Sequence, residues 1–245
     1  MTATILAVLP IVMFASLVRG YLGFGFAAIC VVGLNFFMPA AQSIVVALTL
    51  DAVCSLGLLS HAARQMNVSL WRKLLVGSLV GIPLGMLVLY FLPEHWLKLL
   101  IGLLILVFSV LMAFSVKMPW AQNTAAGYFY GMACGAFTSA ASVGGPVIVC
   151  YLLSSKLSVM CQRATMVTFF FTVDLVAICA LILSDLVEAE ALAYLGLLIL
   201  PTMVCVKLGE WLFNSYPPKS LKKLSLPVMT FVASSSIAAS VTHWG

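Results

Sequence analysis

Charge is what this sequence has least of. Only 8% of its 245 residues are charged, against roughly 25% in an average soluble domain. Hydrophobic residues make up 64%, and the mean hydropathy is +1.19. A chain with so little polar surface is excluded from the soluble enzymes and the nucleic-acid-binding proteins. The net charge of +5 forms no basic patch, because Lys and Arg are scattered between apolar runs.

The sequence also lacks the signals that identify several other classes of protein. No basic segment precedes the first apolar stretch, residues 5–18, so we do not expect a cleaved signal peptide. The seven cysteines have no CxxC spacing, and we interpret them as small packing residues without a disulfide or metal role. The sequence has no Gly-Lys-Ser/Thr P-loop. We therefore expect no cofactor, no metal and no nucleotide-driven pump.

Long apolar runs dominate what is present. A transmembrane helix needs about 20 apolar residues. The segments of that length are 43–61, 70–92, 96–115, 163–183, 191–213 and 220–242. Two further runs, 4–38 and 125–154, are too long for one helix and too short for two full crossings. The sequence therefore predicts an all-α polytopic protein with one membrane domain.

Glycine interrupts both of the longer runs, which read RGYLGFG at 19–25 and SAASVGGP at 139–146. Irregular backbone at membrane depth is tolerated only where protein or a water-filled cavity covers it. We interpret each run as a re-entrant hairpin of two short helices, with its glycine-rich tip near the membrane midplane. The alternative is eight or more ordinary transmembrane helices, with a kink in each of these runs.

Loop charges predict the orientation. Loops within 61–73, 115–124, 154–163 and 214–223 carry Lys and Arg, which favours the cytoplasmic side. The acidic loop 184–190 has no basic residue and is expected outside. Alternation through six spans satisfies these assignments with both termini outside.

The two halves of the chain match at an offset near 124. Gly85 and Gly209 are each followed eight residues later by proline, and the glycine-rich tips match at about 120. The basic loop 62–73 corresponds to the acidic loop 184–190, so the halves are expected to insert in opposite directions. Inverted repeats with broken helices are typical of transporters that bind substrate near the midplane. The predicted repeats are residues 1–118 and 119–245.

Three ionisable residues lie within the predicted spans and tips. Asp51 and Asp174 occupy equivalent positions in the two repeats, near the middle of their helices, which makes them candidates for proton coupling or gating. The alternative is a hydrogen-bonded carboxyl group that ties two helices together. Arg19 at the first tip suits an anionic substrate with several oxygens, but it could instead neutralise one of the two aspartates or reach a membrane interface.

The second tip has no cation. Its serines lie beside glycines, an arrangement that would let backbone N–H groups and a helix N-terminus face an anion. Pro146 suits the first turn of the helix that leaves this tip. The alternative role of the serines is helix–helix hydrogen bonding. The expected substrate-binding residues are Arg19, Gly23, Gly25, Ser139, Ser142, Gly144, Gly145 and Pro146.

Other features predict packing and not chemistry. Two oppositely charged pairs, Glu94 with Lys98 and Lys207 with Glu210, have the spacing of local ion pairs. Two stripes of small residues have the spacing that lets helices approach closely, namely Gly77, Gly81 and Gly85, and Gly127, Gly131 and Gly135.

The chain resembles the sulfite exporter TauE/SafE family of bacterial membrane permeases over nearly its whole length. The resemblance rests on residues 20–25, on the glycine-bearing stretch 71–85 and on residues 131–146, which end Gly-Gly-Pro. It implies a secondary transporter in a bacterial inner membrane. It also implies export of sulfite or of small organosulfur anions such as sulfoacetate.

Other functions were weighed against export. A passive anion channel, or a transporter of another small organic anion, would share almost every feature of this sequence. An intramembrane aspartyl protease also needs two carboxylates, but neither Asp51 nor Asp174 stands in the Gly-x-Gly-Asp motif that such proteases share. We therefore expect no enzyme activity. The expected partners are the anion, protons if the carboxylates couple transport, and membrane lipid around a monomer or homodimer, with no nucleic acid.

Overall fold

The computed structural model describes residues 2–113, 125–155, 157–184 and 189–218, together with Pro227. Within these ranges the chain is helical and contains no strand. The helices in chain order are α1 (Thr2–Leu22), α2 (Phe26–Leu34), α3 (Ala40–Ala62), α4 (Val68–Phe91), α5 (Glu94–Ala113), α6 (Ala126–Ala141), α7 (Gly145–Leu153), α8 (Val159–Leu183) and α9 (Ala189–Ser215). The predicted span 220–242 lies outside the described residues.

Five of the six predicted full spans coincide with α3, α4, α5, α8 and α9. Within the described ranges, four segments are long and apolar enough to cross a membrane: Ala40–Ala62, Val68–Phe91, Val159–Leu183 and Tyr194–Ser215. A shorter apolar helix covers Leu6–Leu22. Runs of about 20 apolar residues form helices at membrane depth because only intrahelical bonds satisfy the backbone there. The prediction of a multi-pass helical membrane protein is confirmed.

Each glycine-broken run forms a longer helix followed by a nine-residue helix. Gly23 and Gly25 break the first run, with φ of 83° and 98°, and Ser142 breaks the second with φ of 57°. The nine residues of α2 or α7 extend about 14 Å, half of a hydrocarbon core of about 30 Å. Neither helix can therefore cross the membrane by itself.

The expectation of two short helices in the first run is wrong for α1. This helix has 21 residues and extends about 31 Å. It continues through Gly20 because that glycine packs against Gly209 of α9, where a Cβ on either residue would lie 2.9 Å from the other's Cα. The helix ends only where Gly23 adopts a positive φ.

The two predicted glycine stripes face each other across α4 and α6. Carbonyl oxygens of α6 occupy the positions where a Cβ of Gly77, Gly81 or Gly85 would lie. Carbonyl oxygens of α4 lie equally close to Gly131 and Gly135. The contacts advance in the same direction along both helices, so α4 and α6 run parallel. The predicted close helix approach is confirmed, and the same kind of contact joins α1 to α9.

Helices α3 and α8 pack against each other at the centre of the molecule, and α9 and α4 flank them. Large exposed hydrophobic side chains lie on the outer faces of α4, α5 and α9, as lipid contact requires. Asp51 on α3 and Asp174 on α8 are 4% and 1% exposed. The central helix pair therefore buries both predicted aspartates.

Both predicted local ion pairs are confirmed. Lys98 Nζ lies 2.8 Å from Glu94 Oε1, and Lys207 Nζ lies 2.8 Å from Glu210 Oε2.

All seven cysteines are free thiols, and five of them are buried.

Candidate functional site

The two helix breaks lie side by side in the interior. A Cβ placed on Gly145 would lie 4.0 Å from the backbone nitrogen of Gly25 and 3.9 Å from Cζ of Phe170. Gly25 precedes the first residue of α2, and Gly145 is the first residue of α7. The N-termini of two helices from different halves of the chain therefore meet.

The adjacent N-termini of α2 and α7 create a region of positive electrostatic potential to which no lysine of the described residues contributes. The first N–H groups of a helix have no intrahelical acceptor, and the helix dipole places partial positive charge at the same end. Ala27 and Ala28 in the first turn of α2 face the space between the breaks, as do Gly144 and Gly145 at the start of α7. Backbone donors therefore surround this space on two sides.

A small cavity occupies that space. Its lining residues are Arg19, Gly25, Ala27, Ala28, Asp51, Thr138, Ser142, Gly144, Gly145, Phe170 and Asp174. The walls lie close together and leave room for about one water-sized molecule. A larger ligand therefore requires the lining elements to move apart.

Arg19 is the cation of the cavity, and it is fully buried at 1% exposure. Its Nε lies 2.9 Å from Asp51 Oδ1. Its Nη1 donates to the carbonyl oxygen of Gly23 at 2.7 Å, and its Nη2 donates to Ser55 Oγ at 2.6 Å. The guanidinium carbon lies 5.0 Å from the centre of the Phe170 ring. Arg19 therefore neutralises Asp51, one of the alternatives considered from the sequence, while it also lines the cavity.

Asp174 differs from Asp51 in having no cation at its side. Among the described residues it forms no ion pair, and its buried Oδ2 has no hydrogen-bond partner. Ser142 Oγ, also on the cavity wall, is buried without a hydrogen-bond partner in the same part of the chain. Buried polar atoms are normally satisfied, so two unsatisfied ones on one cavity indicate a place for a polar ligand or water.

The structure brings together seven of the ten predicted site residues around this cavity. They are Arg19, Gly25, Asp51, Ser142, Gly144, Gly145 and Asp174. The other three lie just behind the wall. The carbonyl of Gly23 accepts from Arg19, Ser139 Oγ donates to the carbonyl of Ile82 on α4 at 2.9 Å, and Pro146 occupies the first turn of α7 as predicted. Ser139 thus makes the helix–helix bond that was its alternative role.

Phe170 is a cavity residue that the sequence did not single out. It stands in the run Phe169-Phe170-Phe171, where an apolar helix pattern gives no reason to prefer one ring over its neighbours. Only the packing of α8 against the two breaks selects it.

Arg163 is a second residue that the sequence did not single out, because it stands where the predicted loop 154–163 meets the predicted span 163–183. It lies inside α8, which begins four residues earlier after Ser158, whose Oγ accepts from the N–H of Cys161. Arg163 is 8% exposed, its Nη2 donates to the carbonyl of Gly20, and its guanidinium carbon lies 4.1 Å from the centre of the Phe213 ring. A helix-capping serine before the apolar run was the signal that could have found it.

A multi-pass helical protein whose broken helices meet at a buried polar cavity has the architecture of a secondary transporter. The family model of the sulfite exporter TauE/SafE matches residues 8–236 of this chain. The chain belongs to this family, as the sequence resemblance predicted. No curated protein and no solved structure matches it. Membership places the chain in a family of membrane transporters.

Proposed function

We propose that the chain is a secondary transporter that exports a small sulfur-containing anion, either sulfite or an organosulfonate similar to sulfoacetate. Its binding site is the cavity between the two helix breaks. The observation that carries this proposal is the contact between Gly25 and Gly145, which brings two helix N-termini to one buried point.

The donors around the cavity favour an oxyanion. An anion at a helix N-terminus accepts from free backbone N–H groups and gains from the helix dipole. Two such termini face this cavity, and Ser142 Oγ and the Arg19 guanidinium add donors on its wall. The several oxygens of a sulfite or sulfonate group can accept from more than one of these donors at once.

The size of the cavity favours a small substrate. A Cβ on Gly144 would meet Thr138 Oγ1 and the carbonyl of Cys134, so packing alone explains that glycine. A Cβ on Gly145 would lie no closer than 3.9 Å to any atom beyond its neighbours in the chain, and the φ of Gly145 is not positive. A side chain would fit there by packing and would point toward the opposite break. The glycine at 145 therefore serves to leave space for the ligand.

Alternating access is provided by movement of the predicted repeats, residues 1–118 and 119–245. The repeat relation makes α1 equivalent to α6 and α9 equivalent to α4. Two helix pairings agree with it, because α1 packs along α9 and α6 packs along α4. The broken run of α6 and α7 re-enters the side from which it starts, and both termini of the chain lie outside a bacterial inner membrane. Separation of the two breaks would then open the cavity to one side at a time.

The test is transport by the purified full chain in proteoliposomes. Labelled sulfite, sulfoacetate and thiosulfate are offered, with acetate as a carboxylate control, with and without a pH gradient. The proposal expects saturable sulfur-anion transport that is accelerated by unlabelled anion on the opposite side. Flux without such exchange would identify a channel, equal preference for acetate would identify a general organic-anion carrier, and cation transport without anion transport would end the proposal.

A further inference from the structure

We infer that Asp174 alone carries the coupling proton, so that each anion crosses the membrane together with one proton. This inference rests on the proposed function, since it assigns different roles to the two aspartates of the same cavity. The two carboxyl groups are equivalent by sequence, but their surroundings are not.

The charged and titratable groups that face Asp174 can be named helix by helix. They are Arg19 on α1, Asp51 and Cys54 on α3, and Cys134 on α6. Helices α4 and α7 also pack on α8, but within the described ranges they present no charged group to Asp174. Arg19 is the one cation in this set, and Asp51 already balances it at 2.9 Å.

The charge balance makes the state of Asp174 decisive for anion binding. With Asp174 ionised, the cavity lining has a net negative charge, and an incoming anion meets a like charge in a water-poor interior. With Asp174 protonated, the lining is neutral, and the carboxylic acid gains an O–H donor. Its Oδ2 and the nearby Ser142 Oγ lack partners among the described residues, so both can turn toward the anion. Anion and proton therefore bind together.

Asp51 cannot take this role. Its protonation would remove the carboxylate charge 2.9 Å from the buried guanidinium of Arg19 and break the one ion pair that Arg19 forms among the described residues, which is strongly unfavourable. It would also release the residue that holds the first break, because Arg19 donates to the carbonyl of Gly23. Asp51 is the positioning residue of the pair, and Asp174 is the proton carrier.

Joint transport of an anion and a proton changes the driving force for anion transport. A membrane potential that is negative inside drives a lone monoanion outward. One proton bound on the side where the cavity opens, and released with the anion on the other side, makes the transport of a monoanion electroneutral. The potential then has no effect on the direction of transport. Where the outside is more acidic than the inside, the proton gradient opposes export, so export requires an outward substrate gradient that exceeds the inward proton gradient.

The experiment uses the full chain in proteoliposomes with methanesulfonate and, in parallel, sulfite. Methanesulfonate is a monoanion whose charge stays constant between mildly acidic and mildly alkaline pH, so a pH effect on its transport belongs to the protein. A dye in the lumen reports proton movement, and valinomycin with a potassium gradient sets the potential. The wild-type chain is expected to move one proton per methanesulfonate at a rate independent of the potential.

Asp174→Asn fixes the neutral state of this side chain and is expected to move methanesulfonate without protons, at a rate that now depends on the potential. Asp174→Glu restores a titratable group and is expected to restore proton movement. Glu94→Gln removes an exposed carboxylate paired with Lys98, outside the cavity, and serves as the matched control with wild-type coupling.

An Asp174→Asn variant that still moves one proton per methanesulfonate would overturn the assignment to Asp174, and the proton-to-anion ratio of the wild-type chain tests the coupling even if a variant fails to fold. Wild-type methanesulfonate or sulfite transport without protons would overturn the inference and leave the proposed function intact. Absence of transport of methanesulfonate and sulfite, and also of sulfoacetate and thiosulfate, would overturn the proposed function and the inference with it.

Discussion

The guanidinium of Arg163 on α8 donates to the carbonyl oxygen of Gly20 on α1 and so ties the first helix break to the other half of the chain. The side chain also packs against Gly23, where a Cβ would lie 2.8 Å from Arg163 Cγ. Its Nε is buried and has no hydrogen-bond partner in the described part of the chain. Arg163 therefore holds the first break against α8 at the end of α1.

Loss of this link should destabilise the fold. Arg163→Gln removes a charge-assisted hydrogen bond and the contact with the Phe213 ring, and we expect a loss of about 1.5–3 kcal/mol of stability. The apparent melting temperature in detergent measures the change. Lys98→Gln, which removes the lysine of an ion pair whose side chains are 30% and 54% exposed, is the control and should cost less than about 1 kcal/mol. Equal effects of the two substitutions would contradict a fixing role for Arg163.

The buried Arg19–Asp51 pair should show strong energetic coupling. The two side chains are 1% and 6% exposed, so either single substitution leaves a buried charge without its partner. Breaking such a pair costs about 3–5 kcal/mol, whereas replacing both members by apolar residues costs much less. We expect Arg19→Met and Asp51→Leu each to lower the melting temperature more than the double variant does.

The double-mutant cycle gives this coupling directly. Additive effects of the two substitutions would mean that the pair contributes nothing as a pair. All three variants are expected to lose sulfite transport, because Arg19 also lines the cavity. The readout for the ion pair is therefore stability and not activity.

The sequence predicted most of the helices because an apolar run of about 20 residues can be recognised without knowing how the chain packs. It also predicted the Glu94–Lys98 pair and the position of Pro146, which depend on neighbours within one helical turn. The partner of Arg19 could not be chosen in advance. Asp51 and Asp174 were equally deep by sequence, and only the packing of α1 against α3 puts one of them 2.9 Å from the guanidinium.

The first break shows a second limit of the sequence. The sequence gives no reason to distinguish Gly20, Gly23 and Gly25. In the structure, however, α1 continues through Gly20 and ends before Gly23 and Gly25. Gly20 is needed for the approach of Gly209, which lies far away in sequence. Gly23 and Gly25 are needed for their positive φ. The local sequence pattern therefore cannot distinguish a glycine that allows two helices to pack closely from a glycine that allows the backbone to turn.

The α4–α6 contact should tolerate no side chain at its glycines. Gly81→Ala places a methyl group against the carbonyl oxygen of Met132, so the two helix backbones must separate. We expect a loss of about 1–3 kcal/mol, seen as a lower melting temperature and a lower yield of monodisperse protein. Gly196→Ala on α9 is the matched control, because a Cβ there has no neighbour within 4 Å. A Gly81→Ala variant as stable as this control would contradict the packing of the two stripes.

Gly145→Ala tests whether the space between the breaks is the substrate site. The added methyl group would make ordinary contacts with Phe170 and Gly25, so stability should stay within about 0.5 kcal/mol of the wild type. The same methyl group narrows a cavity that already has little spare room. Crowding of the bound anion costs about 1–3 kcal/mol, so sulfite transport should fall by roughly 5- to 150-fold, and transport of sulfoacetate, which is larger, should fall further.

Gly144→Ala provides the contrast to this variant. Its methyl group would collide with Thr138 and with the carbonyl of Cys134 behind the cavity wall, so it should lower stability and transport together. Initial rates in proteoliposomes, read beside melting temperatures, separate the two effects. A Gly145→Ala variant that transports both anions at the wild-type rate would place the substrate elsewhere in the molecule, because an anion held between the two helix N-termini cannot avoid that methyl group.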